Sequence, residues 1–137
     1  MTNSIAEIEN TDAMFVIGSN TTVNHPIVAL RMKKAVFNGA KLIVADPRKI
    51  PLVKFADLWL NHRPGTDAVL LNAIMYAILE EGLEDSAFIN ERTEGFKEFR
   101  QSLTKFTPTF AEEITGVPAK DIVKAARIYG AVEKAAI

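Results

Sequence analysis

Residues 14–47 read MFVIGSNTTVNHPIVALRMKKAVFNGAKLIVADP, and this stretch decides the fold. Its two ends are apolar runs. Met14-Phe15-Val16-Ile17 is closed by Gly18, and Lys41-Leu42-Ile43-Val44-Ala45 is closed by Asp46-Pro47. Neither run alternates apolar with polar at its centre, which is the pattern of strands covered on both faces. Between them Val28, Met32, Ala35 and Val36 recur at helical spacing. Asn24 can cap this helix, Pro26 suits its first turn, and Asn38-Gly39 supplies the stop. Strand, helix and strand joined by tight turns predict a βαβ unit, hence a parallel sheet and a right-handed crossover.

Leu58-Trp59-Leu60, followed closely by Pro64-Gly65, adds a third strand, with Trp59 read as core. Beyond Pro64 the pattern is helical. Thr66 is an N-cap, Asp67 favours the first turn, and Leu70, Ile74, Ala77 and Ile78 share a face that ends at Gly82. Shorter helices are expected over residues 85–92 and 94–103. A last one starts near Pro118, with a stripe of Ile122, Ala126, Tyr129 and Val132. Glu80-Glu81 and Glu112-Glu113 read as solvated helix edges. Ala135-Ala136-Ile137 reads as the start of another strand. The expectation is one α/β domain over residues 1–137, a Rossmann-like parallel sheet flanked by helices with additional C-terminal helices.

Composition narrows the function. Sixteen basic against seventeen acidic side chains give a net charge of -1, which argues against a polybasic nucleic-acid binder. The absence of cysteine excludes disulfides, zinc–thiolate sites, iron–sulfur ligation and thiol nucleophiles from this chain. No apolar run reaches the ~18 residues of a membrane helix. Residues 1–10 carry two glutamates and no basic segment, unlike a signal peptide. His25 and His62 have no metal-ligand spacing to another ligand and are not catalytic candidates. No catalytic triad, carboxylate pair or Walker loop can be argued, so no catalytic residue and no metal ligand is assigned.

In an open parallel sheet, ligands bind beyond the carboxyl ends of the strands. That rule selects Gly18-Ser19-Asn20-Thr21-Thr22, Asp46-Pro47-Arg48-Lys49 and Arg63-Pro64-Gly65-Thr66-Asp67, all expected on one edge. Gly18 permits close backbone approach, and Ser19, Asn20, Thr21 and Thr22 are short polar groups before a helix N-terminus, where a pyrophosphate is favoured. The three-glycine dinucleotide fingerprint is missing. Asp46 can accept from a ribose, and Arg48 and Lys49 can neutralise phosphate. Asp67 can accept two parallel N–H bonds from one edge of guanine. Each loop also has a plainer reading: a capped strand-to-helix turn, an Asp-Pro turn with solvated basic residues, and an aspartate that compensates a helix dipole.

Taken together and in order, these segments resemble the molybdopterin oxidoreductase family, and within it the catalytic alpha subunits of formate dehydrogenases. The resemblance rests on Ile17-Gly18-Ser19-Asn20, Asn24-His25-Pro26, residues 39–48 and Arg63-Pro64-Gly65-Thr66-Asp67. Downstream it rests on Glu80-Glu81-Gly82-Leu83, Arg92-Thr93-Glu94-Gly95-Phe96 and Ile114-Thr115-Gly116-Val117-Pro118. It implies a longer cytoplasmic subunit holding molybdenum or tungsten between two pterin guanine dinucleotides. This region would be the α/β part that cradles one molybdopterin guanine dinucleotide. By motif, Gly18, Ser19 and Asn20, with Thr21 in the same loop, would meet the pyrophosphate. Asp46, Pro47 and Arg48 would meet the guanosine, with Asp46 near the ribose. Gly65, Thr66 and Asp67 would close on the guanine.

The family pattern is not met everywhere. Val23 stands where relatives commonly carry an acid, two positions before the His-Pro pair. The cysteine cluster for an iron–sulfur centre and the cysteine or selenocysteine metal ligand have no counterpart. The resemblance therefore implies a fragment, inert by itself. Its partners would be the remaining domains of the parent subunit and an iron–sulfur electron-transfer subunit, with no nucleic acid and no membrane segment. A rival from another class is a stand-alone nucleotide-binding or protein-interaction module of doubly wound type without redox activity.

Overall fold

A computed structural model describes residues 4–137. Residues 1–3, which begin the segment tested above against a signal peptide, lie outside the described residues. The chain divides into two compact units, one running to Asn61 and joined by Ala131–Ile137, the other His62–Gly130.

In the first unit, β1 (Ala13–Ile17), β2 (Lys41–Ala45), β3 (Leu58–Leu60) and β4 (Ala135–Ala136) form a sheet of order β3-β2-β1-β4. Every pairing is parallel. Ile17 lies beside Ala45, Ala45 beside Leu60, and Ala13 beside Ala135. Met14, Phe15, Leu42, Ile43 and Val44 are all buried whichever face they point to. This is why the runs show no polar alternation. Between β1 and β2 lie the single turn α1 (Thr21–Asn24) and the helix α2 (Pro26–Phe37). Ala35 joins Met14, Val16, Leu42 and Val44 in one apolar cluster, with Met32, Val36 and Trp59 packed against it. Met14, Leu42 and Val44 each contribute roughly 1.5–3 kcal/mol by their burial.

One expected boundary moves. Asn24 closes α1 instead of capping α2, whose N-cap is His25 at φ −139°, ψ 65°. Pro26 is the physical reason, because its ring disfavours helical torsions in the residue before it. The stop at Asn38-Gly39 is where the sequence puts it.

The second unit is helical: α3 (Asp67–Glu80), α4 (Ser86–Arg92), α5 (Phe96–Leu103), α6 (Pro108–Thr115) and α7 (Ala119–Gly130). α3 packs against α5, α6 and α7. Its stripe of Leu70, Ile74 and Ala77 is buried, as are Ile122 and Ala126 of α7. Val132, assigned to the same stripe by periodicity, lies past the end of α7. Asp85 caps α4 by accepting from Phe88 N at 2.9 Å. Glu112 is exposed but accepts from Ala119 N at 3.1 Å, tying α6 to the start of α7. Glu112-Glu113, expected as a helix edge, lies within α6, eight residues between Thr107, its N-cap, and Gly116.

Candidate functional site: the carboxyl edge of the sheet

β1, β2 and β3 end side by side, so the segments after Ile17 and Ala45 leave one edge of the first unit. Gly18 turns the chain at φ +62°, a torsion that costs an L-residue roughly 1–2 kcal/mol. A Cβ placed there would meet nothing within 4 Å, so the glycine answers to the backbone and not to crowding. The Ser19 and Thr21 hydroxyls lie 3.3 Å apart. Asn20 accepts from Val23 N and Asn24 N with its main-chain oxygen, both at 3.0 Å. Its side-chain Oδ1 and the Thr22 Oγ1 are buried with no hydrogen-bond partner among the described residues. An unsatisfied buried polar group costs about 1–3 kcal/mol, so both atoms call for a partner, as does Glu84 Oε2 in the second unit. The helix start expected here is only the four residues of α1, too short to focus much dipole on an anion.

After β2 the geometry departs from the simplest reading of Asp46. Its carboxylate is buried, at 1% exposure, and turned onto its own loop. Oδ1 accepts from Arg48 N at 2.7 Å and from Arg48 Nε at 3.3 Å, while Arg48 Nη2 lies 3.5 Å from Oδ2. Trp59 Nε1 donates to the Asp46 main-chain oxygen at 2.9 Å. Asp46 therefore builds the turn through Pro47, and the Arg48 side chain projects from it, 73% exposed. Lys49 is exposed beside it. The cationic groups face solvent while the carboxylate faces inward.

In the second unit, Arg63-Pro64-Gly65-Thr66 forms a turn closed by Thr66 N donating to Arg63 O at 3.2 Å. Proline second and Gly65 third, at φ +80°, is the type II turn pattern. Thr66 is the N-cap of α3, but its hydroxyl donates back to Arg63 O at 2.6 Å and leaves the first-turn amides uncapped. Arg63 is structural here. Its Nη1 donates to Glu113 O at 2.8 Å and Ile114 O at 3.0 Å, at the end of α6. Asp67 opens α3 with its side chain 45% exposed, and Oδ1 lies 3.0 Å from Nε2 of His62. His62, set aside by the sequence reading, is 1% exposed and stands against the residue expected to read a base. The one sequence signal for this contact is the Pro-Gly turn, which folds residue 62 back toward residue 67.

The described residues bring together no group of three or more histidines, cysteines and carboxylates able to hold a metal ion. No described helix is long and apolar enough to cross a membrane.

A four-stranded parallel sheet whose strands alternate with helices in the chain, with polar loops after β1 and β2, defines an α/β protein. The chain belongs to the molybdopterin oxidoreductase family, whose family model matches residues 1–135. It is 46% identical over its whole length to the F420-dependent formate dehydrogenase 1 subunit alpha of Methanococcus maripaludis, covering 20% of that protein. It is 48% identical over its whole length to formate dehydrogenase H of Escherichia coli, covering 19% of that protein. The acetylene hydratase of Pelobacter acetylenicus superposes on 96% of this chain with a TM-score of 0.85 at 31% identity, over 20% of that chain. The sequence thus spans about a fifth of the length of the curated relatives it matches. The resemblance to formate dehydrogenase alpha subunits read from the motifs is borne out by these relatives.

Proposed function

We propose that residues 1–137 act as one α/β segment of a cytoplasmic formate dehydrogenase alpha subunit and hold one molybdopterin guanine dinucleotide. In the first unit, Gly18, Ser19, Asn20 and Thr21 bind the pyrophosphate, while Asp46, Pro47 and Arg48 form the guanosine-facing turn. In the second unit, Gly65, Thr66 and Asp67 close on the guanine. The observation that carries this reading is the pair of unpartnered buried atoms, Asn20 Oδ1 and Thr22 Oγ1, in a loop at the carboxyl edge of a parallel sheet. Thr22 Oγ1 can donate to a phosphate oxygen, and Asn20 Oδ1, which only accepts, suits a hydroxyl or an N–H of the same ligand. Arg48, whose Nε and Nη2 lie on Asp46, keeps an exposed guanidinium edge at Nη1 for phosphate.

When bound, the cofactor supplies the molybdenum or tungsten centre at which formate is oxidised by two electrons to carbon dioxide. This chain contributes binding and orientation. The electrons leave through an iron–sulfur subunit, and the metal ligands come from other parts of the parent subunit. By itself the chain does not oxidise formate.

The test is calorimetric titration of the 137-residue chain with guanosine and adenosine diphosphates. A saturable preference for the guanine nucleotide, lost in Asp67→Asn, is expected. Equal binding of both nucleotides, or a preference for adenine, overturns the assignment. The protein-interaction form of the rival reading draws on one observation: Val23, Ile27, Leu30 and Phe37 are large apolar residues exposed on α1 and α2. It predicts no nucleotide binding at all.

A further inference from the structure

We infer that His62 is a positioning residue for Asp67: its buried imidazole N–H holds one carboxylate oxygen, so that the carboxylate stays turned outward as a two-oxygen acceptor for the edge of guanine. The inference rests on the proposed role of Asp67 as reader of the base.

The chemistry follows from the pairing. An ionised carboxylate only accepts hydrogen bonds, so at 3.0 Å from Asp67 Oδ1 the His62 Nε2 must carry the hydrogen. The imidazole is buried and therefore a fixed donor, whereas Asp67 is close to half exposed. Oδ1 can accept a second bond, and Oδ2 accepts none from the described residues. The two oxygens thus still offer the parallel pair of acceptors that guanine needs for its N1–H and N2–H. Adenine presents a lone pair at N1, which the carboxylate would repel.

The first turn of α3 explains why such an anchor is needed. The opening amides of a helix have no partner within it. Thr66, the N-cap, uses its hydroxyl on Arg63 O and makes no side-chain cap. An aspartate at this position has the choice of folding onto those amides, where its charge is favoured by the helix dipole. A carboxylate turned that way no longer faces a base. His62 pulls against this collapse from the opposite side of the Pro64-Gly65 turn.

The experiment compares the guanosine-over-adenosine diphosphate affinity ratio in the full chain, in His62→Leu, in His62→Gln, which keeps a donor, and in Asp67→Asn. The long-range proton–nitrogen spectrum of the unmodified chain is recorded alongside. With only His25 and His62 present, a His25→Gln variant assigns the signals. The ratio should fall about tenfold in His62→Leu, the scale of a hydrogen bond to a charged group, and recover in His62→Gln. The spectrum should show His62 protonated at Nε2. A ratio lost in Asp67→Asn but unchanged in His62→Leu overturns this inference and leaves Asp67 as reader. A ratio near one in the unmodified chain, or one unchanged in Asp67→Asn, overturns the reader itself and the inference with it. Should His62→Leu not fold, a His62 Nε2 without a proton in the unmodified chain overturns the inference on its own.

Discussion

The indole Nε1–H of Trp59 donates to the main-chain carbonyl of Asp46 at 2.9 Å, so a residue inside β3 holds the turn that follows β2. The ring also packs against the apolar cluster under the sheet. Trp59→Phe keeps most of the packing and removes the hydrogen bond. It should cost about 1 kcal/mol, seen as a fall in Tm of about 3–6 °C in calorimetry. An unchanged Tm would mean that the carbonyl finds another donor and that the strand does not support the turn.

Asp46 offers a sharper contrast. Asp46→Asn keeps an acceptor for Arg48 N and should cost less than about 1 kcal/mol. Asp46→Ala removes both oxygens and should cost roughly 1–2 kcal/mol in urea unfolding. Arg48→Ala takes the Nε and Nη2 donors from the buried Asp46 carboxylate but leaves Arg48 N, so it should cost about 1 kcal/mol while weakening guanosine diphosphate several-fold. If Arg48→Ala left binding intact, the exposed guanidinium edge would have no part in holding phosphate.

Much of the fold is legible in the sequence because β1 and β2 are apolar runs whose successive residues are buried, a pattern that depends on composition more than on context. The start of α2 is less legible. Asn24 and His25 both precede Pro26, and only the torsion that Pro26 disfavours in His25 decides which of them ends the preceding turn. α6 has Thr107 as N-cap, Pro108 in its first turn and Gly116 as C-cap, yet its eight residues are too few for a helical period to stand out. At the site, the loops follow from where strands end, but the direction of each side chain does not. Asp46 turns inward because its own loop offers Arg48 N–H groups at hydrogen-bonding distance. His62 meets Asp67 only because Pro64-Gly65 reverses the chain between them.

Asp57 makes the stability of the first unit depend on pH. Partial burial pushes its carboxyl up, but hydrogen bonds from Lys41 Nζ at 2.8 Å and Leu42 N at 3.0 Å outweigh this and hold it below its ordinary value. A carboxyl lowered by folding stabilises the native state above its unfolded value of about 4, and that contribution is lost as the pH falls through the lower, folded value. Asp57→Asn should therefore be less stable than the unmodified chain at pH 7, and the gap should close below about pH 4. Urea midpoints measured across that range decide it. A gap that stayed constant with pH would show that packing and not charge is what the substitution removes.

Gly18 separates a backbone requirement from a binding one. At φ +62° with nothing within 4 Å of an added Cβ, Gly18→Ala meets no steric clash and should cost only the torsional penalty, roughly 1–2 kcal/mol. A methyl group at the end of β1 would project from the loop that also holds Asn20 Oδ1 and Thr22 Oγ1. If that loop receives a pyrophosphate by close backbone approach, guanosine diphosphate binding should weaken about tenfold or more, beyond anything the stability loss explains at a temperature where the variant stays folded. Asn20→Ala should weaken binding by a similar factor while stabilising or leaving unchanged the free chain, because it removes a buried acceptor that the protein itself does not satisfy. Titrations of both variants check this. A Gly18→Ala chain that binds normally, together with an Asn20→Ala chain that loses only stability, would leave the loop as a plain strand-to-helix turn.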